Sequence, residues 1–288
     1  MTGLVELILT PMGYQFMQRG MLASVIVGVL CAVIGCYVVL RGMAFLGDAL
    51  AHAILPGVAV AYLLRGDMLI GALVAAVLAA LAIGAFSRQG HVKEDTAIGI
   101  VFAAALALGV ALMSSIRTYS TDLTHALFGN VLGVGESDLW LIGGLGALVL
   151  LVVVLLYKEF LVVTFDPVFA ATLRLPVSRL RNLMLVLLAL TVVASLQTVG
   201  IGLVAAMLVT PAATAYLLTR RLPSMMLVAA AVGAVSAVVG LYLSFYANVA
   251  SGAAVVLVCT ALFLLAYLFA PSRGLLWAAV RKGQASPH

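Results

Sequence analysis

The stretch 47–57, GDALAHAILPG, sets an aspartate and a histidine four residues apart, Asp48 and His52. On an α-helix, positions i and i+4 project from one face, one turn apart. A carboxylate oxygen and an imidazole nitrogen placed in this way make half of a coordination site for a divalent transition metal. A site of mixed oxygen and nitrogen ligands without thiolate suits Mn²⁺, Fe²⁺ or Zn²⁺. A second copy of the chain, related by a two-fold axis near this helix, would complete the set with two aspartates and two histidines. An ion held only partly by protein can leave again. The alternative is structural: Asp48 caps a helix at a membrane surface, and His52 is a buried histidine with its hydrogen bonds satisfied. Residue chemistry leaves both readings open. Pro56 and Gly57 follow directly and weaken a helix, as in the interrupted helices that line transport paths, which favours the first.

The surroundings make the pair costly. Of 288 residues, 65% are hydrophobic and only 9% charged, with a mean hydropathy of +1.27, whereas soluble domains carry about 25% charged residues. The apolar runs are about 18–23 residues long, enough to cross about 30 Å of hydrocarbon at about 1.5 Å per residue. Alternating ten-residue strands, the mark of a transmembrane barrel, are missing. The chain is therefore expected to be an all-α, polytopic helical membrane protein. An aspartate within the bilayer costs roughly 2.5–3.5 kcal/mol on insertion scales, so such a residue faces an interior pathway more often than lipid. With a helix beginning near Gly42, Asp48 would lie about 9 Å and His52 about 15 Å along it, near mid-membrane.

Spans are predicted at 20–40, 43–64, 68–87, 96–116, 138–157, 179–198, 201–219, 224–246 and 252–270, giving eight or nine crossings with nine preferred. Residues 4–18, broken by Pro11 and Gly13, suit a short interfacial helix and do not resemble a cleaved signal. The tight connection VGIGL at 199–203 leaves a re-entrant pair open. One side of this topology collects Arg41, Arg88, Lys93, Lys158, Arg174, Arg179, Arg181, Arg220, Arg221, Arg273, Arg281 and Lys282; the other keeps Arg19, Arg65 and Arg117. Twelve against three is a strong positive-inside bias, which puts the C-terminus in the cytoplasm and, with nine spans, the N-terminus outside. The net charge of +5 reports this orientation. No Lys/Arg cluster of the kind a nucleic-acid surface needs is present.

Two connections exceed turns. The outer one, 117–137, contains an apolar stretch too short to span. The inner one, 158–178, offers Asp166 as a cap and Pro167 in a first helical turn, with Pro176 as the stop. A short helix lying there is a docking element for a soluble partner. Small residues, including 27 glycines, let helices pack closely in lipid. Cys31, Cys36 and Cys259 fall inside apolar runs and read as buried hydrophobes, with no C-x-x-C pair. His125 in the outer loop reads first as a solvated histidine, with guidance of an entering ion as the other possibility. Asn248, Gln197 and Tyr246 read as packing glue near outer span ends, with a place in the outer vestibule as the other reading of Asn248. His91 belongs to a cytoplasmic turn, Glu94 and Asp95 to the cap of the next span, and His288 is terminal. No P-loop is present, so an ATP-driven process would draw its ATPase from another subunit, and no H-E-x-x-H pattern supports proteolysis.

The segments RGMAFLGDALAHAILPGVAVAYLL, KEDTAIGIVFAAALALGVAL, DLTHALFGNVL, TFDPVFAATLRLPV, VGIGLVAAMLVTPAATAYLL and GLYLSFYANVASGAAVVLV together resemble the permease subunit of bacterial metal-ion ABC importers, in order over about 90% of the chain. The resemblance implies a type II importer permease fold in one transmembrane domain, residues 1–288, located in the bacterial cytoplasmic membrane. It implies two copies of the permease, a cytoplasmic ABC ATPase and an extracytoplasmic metal-binding protein. The chain itself would not be an enzyme and would hold no permanent cofactor, the metal being its substrate. The resemblance makes Asp48 and His52 the channel's metal ligands and 166–176 the coupling helix, with Asp166, Pro167, Phe169, Ala170, Leu173, Arg174 and Leu175 facing the ATPase. Its wording is closer to manganese than to zinc members, with zinc and ferrous iron as alternatives. Arg174 stands where the family commonly has glycine, and Asn248 and Ala250 where aspartate and proline often occur. Two other classes fit less well: a secondary transporter using Asp48–His52 as a proton relay, which lacks the expected internal repeat, and an intramembrane enzyme, which lacks a nucleophile or fuller ligand set.

Overall fold

The computed structural model describes residues 10–88, 92–115 and 133–270; at 197–199 and 201–203 only the backbone is described. These residues form helices joined by turns, with no strand among them. In chain order they are α1 Gln15–Leu40, α2 Leu46–Ala53, α3 Leu55–Leu63, α4 Met68–Phe86, α5 Glu94–Ser114, α6 Glu136–Leu155, α7 Tyr157–Phe165, α8 Pro167–Thr172, α9 Val177–Val199, α10 Ile201–Leu218, α11 Leu222–Ala247 and α12 Ser251–Phe269. Eight segments are long and apolar enough to cross a membrane, α2 and α3 counting together as 46–63. The ninth predicted span is α10, 18 residues long, or about 27 Å at the helical rise.

Two ion pairs fix which helix ends lie together. Arg19, near the start of α1, meets Glu136 at the start of α6, 3.2 Å apart. Arg41, just past the end of α1, meets Glu94 at the start of α5, 3.6 Å apart. With this alternation, the described lysines and arginines gather at the end marked by Arg41, leaving Arg19 and Arg65 at the other.

α1 is the most buried of the spans and packs against α11, α10, α9 and α6. Lipid gives helices no hydrophobic reason to associate, so close backbone approach must supply contact. Gly28 and Gly233 provide it: a Cβ on Gly28 would lie 2.8 Å from the Gly233 carbonyl oxygen.

Several boundaries differ from expectation. α1 begins at Gln15 and not at 20, because the turn at Pro11–Tyr14 ends before it. Gln15–Gln18 thus belong to the span and not to an interfacial helix. The region 158–165, expected as loop, is helical: α7 begins at Tyr157 and continues α6 after a break at Leu156. Glu94 and Asp95 do not cap α5: Lys93 is its N-cap and makes no side-chain cap bond. Both acids sit in the first turn, where the helix dipole favours them. Between α9 and α10 a single residue, Gly200, reverses the chain at φ 81° and ψ 161°, a region essentially restricted to glycine.

Candidate metal site and docking helix

Gly42, at φ 71°, stops α1. Its N–H bonds to the Val39 carbonyl and the Met43 N–H to the Val38 carbonyl, a Schellman cap. The chain turns through Met43–Phe45 and enters α2 at Leu46, four residues later than expected. Asp48 therefore lies only about 3 Å, and His52 about 9 Å, from the start of the 46–63 span. Asp48 sits nearer that end than the middle, and His52 nearer the middle. α2 stops at Ile54 because Pro56 has no N–H to give the His52 carbonyl, and its ring would crowd that carbonyl. The chain resumes at once as α3.

α2 is enclosed by α5, α10, α4 and α9. Leu46, Gly47, Ala49, Leu50, Ala51 and Ala53 are buried in these contacts. Asp48 and His52 alone on this helix stay partly open, with side chains 32% and 26% exposed. The i,i+4 expectation holds in detail: His52 Nδ1 lies 3.5 Å from Asp48 Oδ1 and 3.0 Å from the Asp48 carbonyl oxygen. Asp48 makes no side-chain cap bond, and Phe45 occupies the N-cap, so the capping alternative does not describe this structure. The imidazole is steadied by the edge of Phe102 on α5, ring centres 5.7 Å apart, and Phe102 in turn meets Phe45 at 5.5 Å. Phe102 was missed in the sequence because it lies fifty residues away in an unbroken apolar run. Among the described residues no group of three or more His, Cys, Asp or Glu is close enough to hold a metal. One chain supplies a two-residue pair.

α8 follows the predicted chemistry at its start. Asp166 Oδ1 accepts the Phe169 N–H at 2.8 Å, and Pro167 occupies the first turn. Its end differs. The helix closes at Thr172, four residues before Pro176, through a second Schellman cap: the Arg174 N–H bonds to the Ala171 carbonyl and the Leu175 N–H to the Ala170 carbonyl. Arg174 carries the left-handed backbone, φ 59°, that this cap needs. That explains why glycine suits the position. Ala170, expected on the docking face, is fully buried within the chain, whereas Val168, not expected there, is 75% exposed. Phe169, Leu173 and Arg174 are exposed, as are Asp166 and Pro167, and Leu175 is half-buried.

Between these two regions lies a cluster of charged side chains. The Arg41 guanidinium reaches Glu94 and, at 3.7 Å, the sulfur of Met184 on α9. Burial holds Arg41 below the usual guanidinium range; Glu94 opposes this shift and nearby Arg181 adds to it. Glu94 Oε1, Arg181 Nε and Asn182 Oδ1 are buried without a hydrogen-bond partner among the described residues. The cluster joins α1, the helix that carries Phe102, and the helix that follows α8.

Asn248 terminates α11 in the left-handed region, φ 52°, a conformation asparagine tolerates. His125, His91, His288, Arg117, Arg273, Arg281 and Lys282 lie outside the described residues, as does the side chain of Gln197.

A helical bundle of eight or nine spans, with a short capped helix at its basic end and an acid–imidazole pair beside a broken helix, defines a membrane permease. Residues 13–270 match the ABC 3 transport family. The chain is 50% identical over 278 residues to the manganese transport system membrane protein MntC of Halalkalibacterium halodurans, covering 96% of this chain and 95% of that one. It is 41% identical over 269 residues to the chelated iron transport system membrane protein YfeD of Yersinia pestis, covering 93% and 90%. Among solved structures, PsaBC from Streptococcus pneumoniae in complex with Fab superposes with a TM-score of 0.84 at 39% identity, over 96% of this chain and 99% of that one. The chain belongs to the ABC 3 transport family and is the membrane permease, a non-enzymatic channel component, of a metal-ion ABC importer.

Proposed function

We propose that two copies of this chain form the channel of an ATP-driven manganese importer, with Asp48 and His52 of each copy as transient ligands of the ion. The observation that carries this reading is the open stripe on α2: its apolar positions are buried, and the only two chemically able side chains are left facing outward. Exposed to lipid, an aspartate there would cost roughly 2.5–3.5 kcal/mol. Set against the same stripe of a second copy, it becomes part of an oxygen- and nitrogen-lined path. Manganese as substrate is supported by the naming of relatives such as MntC; the iron-transporting relative keeps ferrous iron as the alternative, with zinc behind it.

In this reading an extracytoplasmic protein delivers the ion at the end bearing Arg19 and Arg65. The basic end, with the C-terminus, lies in the cytoplasm, in keeping with the positive-inside rule. The ATPase receives α8 through the exposed Val168, Phe169 and Leu173, and its closure is passed to the channel. Asp48 supplies charge and a hard oxygen donor. His52 supplies a nitrogen donor whose ring plane is set by Phe102. The modest number of ligands per chain keeps residence short. Uptake of radiolabelled manganese into cells carrying only this transporter tests the assignment: Asp48→Ala and His52→Ala should each abolish uptake at unchanged membrane abundance. Full uptake by either variant would remove that residue from the ligand set.

A further inference from the structure

A cavity of about 280 Å³ opens where the basic ends of α1, α7, α10 and α11 meet. Arg220, Arg221, Thr219 and Tyr216 form its polar wall over a floor of Leu222 and Met225, both buried. Neither guanidinium has an ion-pair or hydrogen-bond partner among the described residues. Asp166, which follows the lining residue Phe165 in sequence, is engaged in capping α8. The amides of the first turn of α11, a 26-residue helix, have no side-chain cap, so the helix dipole adds to the positive field. Beside the cavity, Phe165 and Leu218 present exposed apolar side chains. We propose that this cavity binds the phosphodiester of an anionic phospholipid of the inner leaflet, its acyl chains lying along Phe165 and Leu218.

The chemistry is that of a phosphate diester with a hydrocarbon tail. Two arginines without an ion-pair partner among the described residues and a helix N-terminus meet the phosphate, and basic pockets between transmembrane helices on the cytoplasmic side are suited to such head groups. The apolar floor and mouth favour a lipid over a free anion. The placement one residue from the cap of α8 makes the bound lipid a support for the docking helix. This inference depends on the basic end lying in the cytoplasm but not on the roles given to Asp48 and His52.

The test is lipid binding to the purified permease–ATPase complex, measured by native mass spectrometry with phosphatidylglycerol and phosphatidylcholine. The complex should retain phosphatidylglycerol in preference to phosphatidylcholine. Each arginine near a membrane surface is worth about fivefold, so Arg220→Ala with Arg221→Ala should weaken binding about thirtyfold. Arg220→Lys with Arg221→Lys should stay within a few-fold of the parent. Removing two other cations of the same face, Lys158→Ala with Arg179→Ala, should change little. Unchanged binding in the double alanine variant, equal loss in the control, or absence of bound phosphatidylglycerol in the complex would overturn the proposal. So would displacement by millimolar inorganic phosphate, which would mark a free-anion site. Should the double alanine variant fail to assemble, Arg220→Gln and Arg221→Gln singly, each about fivefold weaker, decide the matter.

Discussion

The Arg41–Glu94 pair offers a sharp test of how the bundle's basic end is held. At 3.6 Å and an effective dielectric of about 20, the gross attraction is about 4–5 kcal/mol. Much of that offsets the desolvation of two side chains that are only 13% and 24% exposed. Removing one partner of a fully buried pair costs roughly 3–5 kcal/mol, because the other is left uncompensated. With the residual exposure, Glu94→Gln should cost about 2–3 kcal/mol, leaving Arg41 near Arg181 with no counter-charge. Arg41→Met should cost a similar amount by stranding Glu94, whose Oε1 already lacks a partner among the described residues. The double variant should cost much less than the sum, giving a coupling energy of about 2 kcal/mol in a double-mutant cycle. Equilibrium unfolding in mixed micelles, followed by circular dichroism, measures all four corners. Additivity within about 0.5 kcal/mol would refute the reasoning, since it would mean that the two charges do not see one another.

Other predictions rest on backbone geometry and on which way side chains face. Arg174→Gly should raise stability by about 1 kcal/mol by relieving a left-handed non-glycine residue, seen as a higher melting temperature of the purified permease; a lower one would contradict the Schellman assignment. Gly28→Leu should sharply lower folded yield because its Cβ would press on the Gly233 backbone, whereas Gly99→Leu, with nothing within 4 Å of its Cβ, should be tolerated; equal yields would refute the contact. Val168→Glu should abolish co-purification with the ATPase while leaving the permease intact, but Ala170→Glu should destabilise the permease itself, since Ala170 is buried. The reverse pattern would place the docking face elsewhere.

Much of the bundle was legible because lipid enforces a simple rule: about twenty apolar residues per crossing, with cations left mostly on one side. The Asp48–His52 relation was legible because i,i+4 spacing is local. The start of α2 was not, since the Gly42 cap and the turn at Met43–Phe45 consume residues that are as apolar as the helix they precede. The end of α8 was misjudged for a related reason: Pro176 is a visible stop, but the actual stop is a left-handed arginine, a conformation that the residue type argues against. Ala170 and Val168 exchanged roles because six residues are too few to reveal an amphipathic period. Phe102 and the Arg41–Glu94 pair depend on contacts between distant segments, which no local pattern encodes.

In the proposed mechanism the metal site belongs to two chains. Anomalous scattering from manganese in crystals of the permease–ATPase complex addresses it directly. One peak is expected on the two-fold axis between permeases, ligated by Asp48 and His52 from both copies and lost in His52→Ala. A peak confined to a single chain, or one away from α2, would contradict it.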